Sequence, residues 1–184
     1  MSARRDHGAS IIEFALVLPI MLVLILNVVN FAGFFSAFIT VGNASRTAGD
    51  YMVLGDRSLK MPPTPPTAQE IANILSTDMS SLINPDSIKV RTCTLSPGNG
   101  SGPPATCWSC TKSGGVMTCA LGNGSFTSNP PLDTRLEGGQ FALAWVDVSY
   151  TYKAFIPGFN FLGVGNPFGA STTVHRQAVY RMLQ

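Results

Sequence analysis

The sequence predicts an α+β protein: a long apolar N-terminal helix, then a small soluble head built from one helix and an antiparallel sheet, with disulfides. Three observations predict it. No charged residue occurs from Phe14 to Ser45. A capping signature at Thr67 opens one amphipathic helix, and the segments after it alternate with the two-residue period of strands. All four cysteines, Cys93, Cys107, Cys110 and Cys119, fall in that strand-forming part.

The N-terminal element comes first. A short basic leader with Arg4 and Arg5 ends at Gly8, and an apolar run begins at once. A helix needs roughly 20 apolar residues to cross a bilayer core, and this run is longer. Ile11, Ile12, Phe14 and the stretch from Ala15 to Leu26 are apolar all round, as lipid requires. Pro19 removes one hydrogen bond and predicts a kink. Further on, Asn27, Asn30, Ser36, Thr40 and Asn43 mix with Phe31, Phe34, Phe35 and Phe38, so the helix leaves the bilayer and becomes amphipathic. From Ala9 to Gly49 it would measure on the order of 60 Å, about twice a bilayer core. The small pairs Ala32/Ser36 and Gly33/Ala37 permit close helix approach. The basic leader keeps the N-terminus cytoplasmic and sends the rest across the membrane.

Three readings compete for this segment. A cleaved secretory signal would need a site such as Gly42-Asn-Ala44, which lies far past the apolar core. A plain signal anchor leaves Glu13 without a purpose, although a charge inside an apolar span is expensive. The third reading takes Gly8 and Glu13 together. Gly8-Ala-Ser-Ile-Ile-Glu13-Phe-Ala-Leu-Val-Leu-Pro19 resembles the prepilin signature of class III type IV prepilins. It is most similar to the TadE-like minor pilins, or pseudopilins, of the tight-adherence (Tad/Flp) pilus. Asn43-Ala-Ser-Arg-Thr-Ala48 suits the family's helix end, and the specific likeness covers roughly residues 4–50.

The resemblance implies cleavage between Gly8 and Ala9 by a prepilin peptidase and an assembly role for Glu13. Physical chemistry supports the pairing of these two features. A glycine lets a peptidase approach the backbone closely. The cut leaves an α-amine on Ala9 that a neighbouring Glu13 carboxylate can neutralise in low dielectric. Breaking such a pair would leave a buried charge, costing roughly 3–5 kcal/mol. The family's major pilin is little more than the helix, so a chain with a large head points to a minor component. The implied partners are the peptidase, other pilin subunits, the inner-membrane assembly platform and membrane lipid.

The predicted divisions are a leader (1–8), the long helix (9–50), a linker (51–66) and an extracytoplasmic head (67–184). Met61-Pro-Pro-Thr-Pro-Pro66 is a stiff connector. Thr67-Ala-Gln-Glu70 is a capping box, opening a helix whose Ile71, Ile74, Leu75, Met79 and Leu82 share a face until Asn84-Pro85 ends it. Residues 87–95, 116–121, 141–153 and 170–182 read as strands. In the third, even positions stay apolar while odd positions change from Phe141, Leu143 and Trp145 to Asp147, Ser149, Thr151 and Lys153. That strand passes from burial on both faces to burial on one. The Gly-rich run from Phe155 to Phe168 can cover the core, meet the membrane or bind a partner.

The cysteines, downstream of an anchor, indicate structural disulfides in an oxidising compartment. Cys107-Trp-Ser-Cys110 is a C-x-x-C flanked by loops, which argues against a redox site at a helix N-terminus. One knuckle with distant His7 and His175 argues against zinc. Of the three connectivities, Cys93–Cys119 with Cys107–Cys110 is the favoured expectation. From Asp50 onward there are nine Lys/Arg and eight Asp/Glu, a balance of +1, which excludes a nucleic-acid surface. His175 reads as a surface or capping histidine, His7 would leave with the leader, and Asp133 and Asp147 show no partner spacing. No cofactor, metal or catalytic set is expected. The alternative function is a membrane-anchored extracytoplasmic thiol-disulfide protein or an anchored binding domain unrelated to pili.

Overall fold

The computed structural model describes residues 6–54, 66–95, 106–122, 124–126, 141–155 and 171–183. The elements are α1 (Asp6–Leu54), α2 (Ala68–Asp78), a 3-10 turn (Pro85–Ser87), β1 (Lys89–Leu95), β2 (Thr106–Ser113), β3 (Val116–Leu121), β4 (Phe141–Lys153) and β5 (Ser171–Leu183). The expected α+β architecture is present. By contacts the chain forms two compact units, Met1–Ser36 with Lys153–Thr172, and Ala37–Tyr152 with Thr173–Gln184.

In the first unit, α1 exposes most of its apolar side chains, from Ile11 and Ile12 at 70% to Phe35 at 51%, while one stripe through Pro19, Val23, Leu26 and Asn30 is less exposed. Pro19 lies inside the helix. The Asn27 amide donates to the Val23 carbonyl at 2.8 Å, so this polar group is satisfied within the helix itself. Among the described residues, α1 is the one helix long and apolar enough to cross a membrane.

The second unit has its own core. The C-terminal part of α1 buries Ala37, Val41, Ala44, Ala48 and Met52, a stripe at three- and four-residue spacing. These side chains are mostly small, so a neighbour can come close. A methyl group on Gly49 would lie 2.2 Å from Cε2 of Tyr180. The Tyr180 hydroxyl is 3.4 Å from the Arg46 carbonyl, and the Arg176 guanidinium lies 3.8 Å above the Phe38 ring. Thus β5 is held on α1 by its inward, even-numbered residues, Val174 and Ala178 being the most buried.

Helix α2 starts as predicted. The Glu70 backbone N–H donates to Thr67 Oγ1 at 3.2 Å, and the Thr67 N–H donates to Glu70 Oε2 at 2.8 Å, the reciprocal capping box. Its buried face is Ile71, Ala72 and Leu75. Past Asn84 the chain is tied to the end of β4. The Ser87 hydroxyl donates to the Thr151 carbonyl and accepts from the Thr151 N–H, both at 3.1 Å.

The sheet order is β3-β2-β1-β4-β5, with β1 central and antiparallel to both β2 and β4. Ile88, Val90 and Thr92 are buried on one face as expected, but Arg91 and Cys93 on the other face are buried as well. A two-residue turn, Gly114-Gly115, joins β2 to β3 with φ of 57° and 83°. Both values lie in the left-handed region that such hairpin turns require and glycine supplies.

Three expectations need correction. The helix continues to Leu54 rather than stopping near residue 50, because Tyr51, Met52 and Val53 still have a face to cover. The C-x-x-C lies in strand β2, not between loops. Its sequence lacks an apolar alternation because its buried residues are the cysteines themselves, Cys107 on one face and Cys110 on the other. The disulfides are Cys93–Cys107 and Cys110–Cys119. Register decides this: Cys93 faces Cys107 across β1/β2, and Cys110 faces Cys119 across β2/β3. Three residues apart on a strand, Cys107 and Cys110 point to opposite faces with Cα atoms about 10 Å apart, too far for a bridge.

Candidate functional site

Two features can carry function. The first is the N-terminal part of α1. Gly8 and Ala9 fall in its first turns, and Glu13 is exposed among apolar neighbours. Ala9 and Glu13 are four residues apart, so they share one side of the helix. Residues 1–5 of the expected leader lie outside the described residues, as do the connector at 61–65, the run at 156–168 and Asp133. Around Glu13 the surface offers Ile11, Ile12, Phe14, Leu16 and Val17, all between 45% and 70% exposed. An apolar patch of this extent requires either lipid or other apolar helices as its surroundings.

The second feature is a charged row across the sheet. Arg91 of β1 stands opposite Ser109 of β2 on one side and Asp147 of β4 on the other. The Arg91 Nη2 donates to Asp147 Oδ2 at 2.9 Å, with the two side chains only 1% and 0% exposed. The guanidinium also stacks 4.5 Å from the Trp145 ring and 4.9 Å from the Phe126 ring. From β5, the Nε2 of the 41%-exposed His175 meets the second carboxylate oxygen, Asp147 Oδ1.

Sequence reasoning places Asp147 on the half-exposed part of β4 and gives it no partner. The structure buries it against two basic groups. The available signal was charge isolation. Asp147 is the one acidic residue between Phe141 and Lys153, and Arg91 lies among Val90, Thr92 and Cys93, which are all buried. Two opposite charges stranded in such segments have every reason to find each other. His175 keeps its surface position but gains a buried partner. Chemically, this arrangement is an ion pair between β1 and β4, with a histidine of β5 set against the same carboxylate. Among the described residues, no group of three or more His, Cys, Asp or Glu is placed to hold a metal.

A cavity of about 600 Å³ lies beside the start of α2, lined by Thr92, Thr94, Thr106, Trp108, Gln69 and Ile71 among others. Among the described residues, its lining contains no titratable side chain except the disulfide-bonded Cys119, which does not ionise.

Comparison with known proteins gives one family. Residues 8–50 match the family described as TadE-like protein, which bears out the resemblance over that stretch. No curated protein and no solved structure matches the chain. The matched stretch ends within α1, and the head has no counterpart in these comparisons.

Proposed function

We propose that this TadE-like protein is a minor pilin or pseudopilin of a Tad-type adhesive pilus. A prepilin peptidase cuts it between Gly8 and Ala9, and α1 anchors it in the bacterial inner membrane with the head outside. The observation that carries the reading is the uncovered apolar surface from Ile11 to Phe35 with a single carboxylate, Glu13, near its start. The family match over the same residues supports it. In a bundle of such helices, the new α-amine of one chain and Glu13 of its neighbour neutralise each other, which fixes the axial register. An unpartnered Glu13 would instead be a buried charge worth roughly 3–5 kcal/mol against assembly. The partners on this reading are other pilin subunits and the inner-membrane assembly platform.

Intact-mass and N-terminal analysis of the membrane-extracted protein tests the proposal. A mature chain starting at Ala9, abolished in Gly8→Leu, is the expected result. A chain still starting at Met1 in a host carrying the peptidase overturns it. With processing intact, Glu13→Ala should leave the protein in the membrane but abolish its recovery with pilus subunits. The competing thiol-enzyme reading finds no support in the head, since Cys107 and Cys110 are each bridged to a different strand.

A further inference from the structure

We infer that the head is a substrate of a protein disulfide donor, oxidised in the order its cysteines emerge from the membrane and without a disulfide isomerase. The inference rests on the extracytoplasmic placement proposed above.

Two observations carry it, connectivity and burial. Of three possible pairings, the structure holds the one that joins consecutive cysteines, first to second and third to fourth. Sequence separations are 14 and 9 residues, so each bridge closes within one hairpin, β1–β2 or β2–β3. Neither bridge has to wait for β4 or β5. As the chain emerges N-terminus first, Cys93 and Cys107 are both outside before Cys110 and Cys119. Capture of Cys107 by Cys93 also removes the competing partner for Cys110, its neighbour in the C-x-x-C.

Burial sets the timing of the first bridge. Cys93 is fully buried and Cys107 is 7% exposed, so a donor protein cannot reach either sulfur of the first bridge in a folded head, and that exchange precedes sheet closure. Cys110 is fully buried, while its partner Cys119 is partly exposed, so the order of emergence rather than burial places the second bridge. Two of the three pairings would place a bridge that the final register forbids, and a buried wrong bridge would need an isomerase. Sequential capture avoids both.

The chemistry balances. A thiolate of the chain attacks the donor's disulfide, forming a mixed disulfide and releasing one donor thiolate. The second cysteine of the pair, as thiolate, attacks the chain sulfur of that mixed disulfide and frees the other donor thiolate. Each bridge thus removes two electrons and two protons from the chain and leaves one donor molecule as a dithiol. Two bridges consume two donor disulfides.

The test uses the full-length chain in three otherwise identical bacterial hosts: unmodified, lacking the periplasmic disulfide donor, and lacking the isomerase. Acid-quenched cells are treated with a thiol-reactive mass tag and the bridges are mapped by peptide mass. The unmodified and isomerase-deficient hosts should give equal yields of untagged protein with Cys93–Cys107 and Cys110–Cys119. The donor-deficient host should give chains carrying four tags. A donor lacking its resolving cysteine should trap a mixed disulfide with this chain.

Cys110→Ser/Cys119→Ser should still form Cys93–Cys107 in full, even if the finished head is less stable. Mispaired or depleted protein without the isomerase overturns the inference, and so does complete oxidation without the donor. A C-terminal reporter that is active only outside the membrane separates the two levels. Four tags in every host with an inactive reporter overturn the extracytoplasmic placement itself.

Discussion

Replacing Gly49 with alanine tests how β5 is held on α1. In the interior of a helix this change alone stabilises by about 1 kcal/mol. Here the new methyl would sit 2.2 Å from Cε2 and 2.5 Å from Cδ2 of Tyr180, well inside van der Waals contact, so the ring must move. Forced repacking of this kind costs about 1–3 kcal/mol, and losing the 3.4 Å hydrogen bond to the Arg46 carbonyl adds up to about 1 kcal/mol. The net expectation is a loss of up to about 3 kcal/mol. Gly42, seven residues earlier in the same helix, is the control. A methyl there meets nothing within 4 Å, so Gly42→Ala should gain about 1 kcal/mol. Chemical denaturation of the detergent-solubilised protein, followed by near-ultraviolet circular dichroism, reads both. The two variants should move the midpoint in opposite directions. Adding Tyr180→Ala should remove most of the penalty of Gly49→Ala. Equal stabilisation by both alanines would refute the packing of Tyr180 against Gly49.

Other expectations follow from the head. Asp147→Asn leaves the Arg91 guanidinium buried without its counter-ion and should destabilise by about 3–5 kcal/mol, while Arg91→Met/Asp147→Leu should lose far less, measured by the same unfolding. Removing either disulfide as a Ser pair should cost about 3 kcal/mol on a chain-entropy account, and a reductant should lower the unfolding temperature of wild type but not of the four-Ser protein. Burial holds the phenols of Tyr150, Tyr152 and Tyr180 above their ordinary value, and for Tyr180 the Asp50 carboxylate adds to the effect. The folded state therefore favours the neutral phenols. That stability is complete below the unfolded value of about 10 and is lost as pH rises through the raised folded values. Tyrosinate absorbance should consequently rise together with unfolding in alkali, later and more steeply than for free tyrosine.

How much of this was legible in the sequence depends on the range of the interaction. The apolar helix, the Thr67 capping box and the alternation of β4 are local patterns, and the structure reproduces each of them. Strand β2 was not legible. Thr106-Cys-Trp-Ser-Cys-Thr-Lys-Ser113 carries no aliphatic period, and its buried positions, one on each face, become apolar only as disulfides. The cysteine pairing failed for the same reason, since register between β1, β2 and β3 is a property of strands not yet recognised. The Arg91–Asp147 pair joins residues 56 apart, beyond any periodic signal, although their isolation in buried strands hints at it. Gly49 looked like a residue near a helix end, whereas its role comes from a ring 131 positions later.

The two bridges give the head an uneven resistance to tension. They weld β1, β2 and β3 into a single covalent patch, one link mid-ladder between β2 and β3 and the other near the end of the β1/β2 ladder. β5 is secured by hydrogen bonds to β4, the His175 contact and the grip on Phe38 and Gly49. A subunit tugged by its C-terminus would peel at β5, one hydrogen bond at a time, while the welded strands stay closed. Such a head gives way at one known seam and re-zips from an intact template when the load is removed.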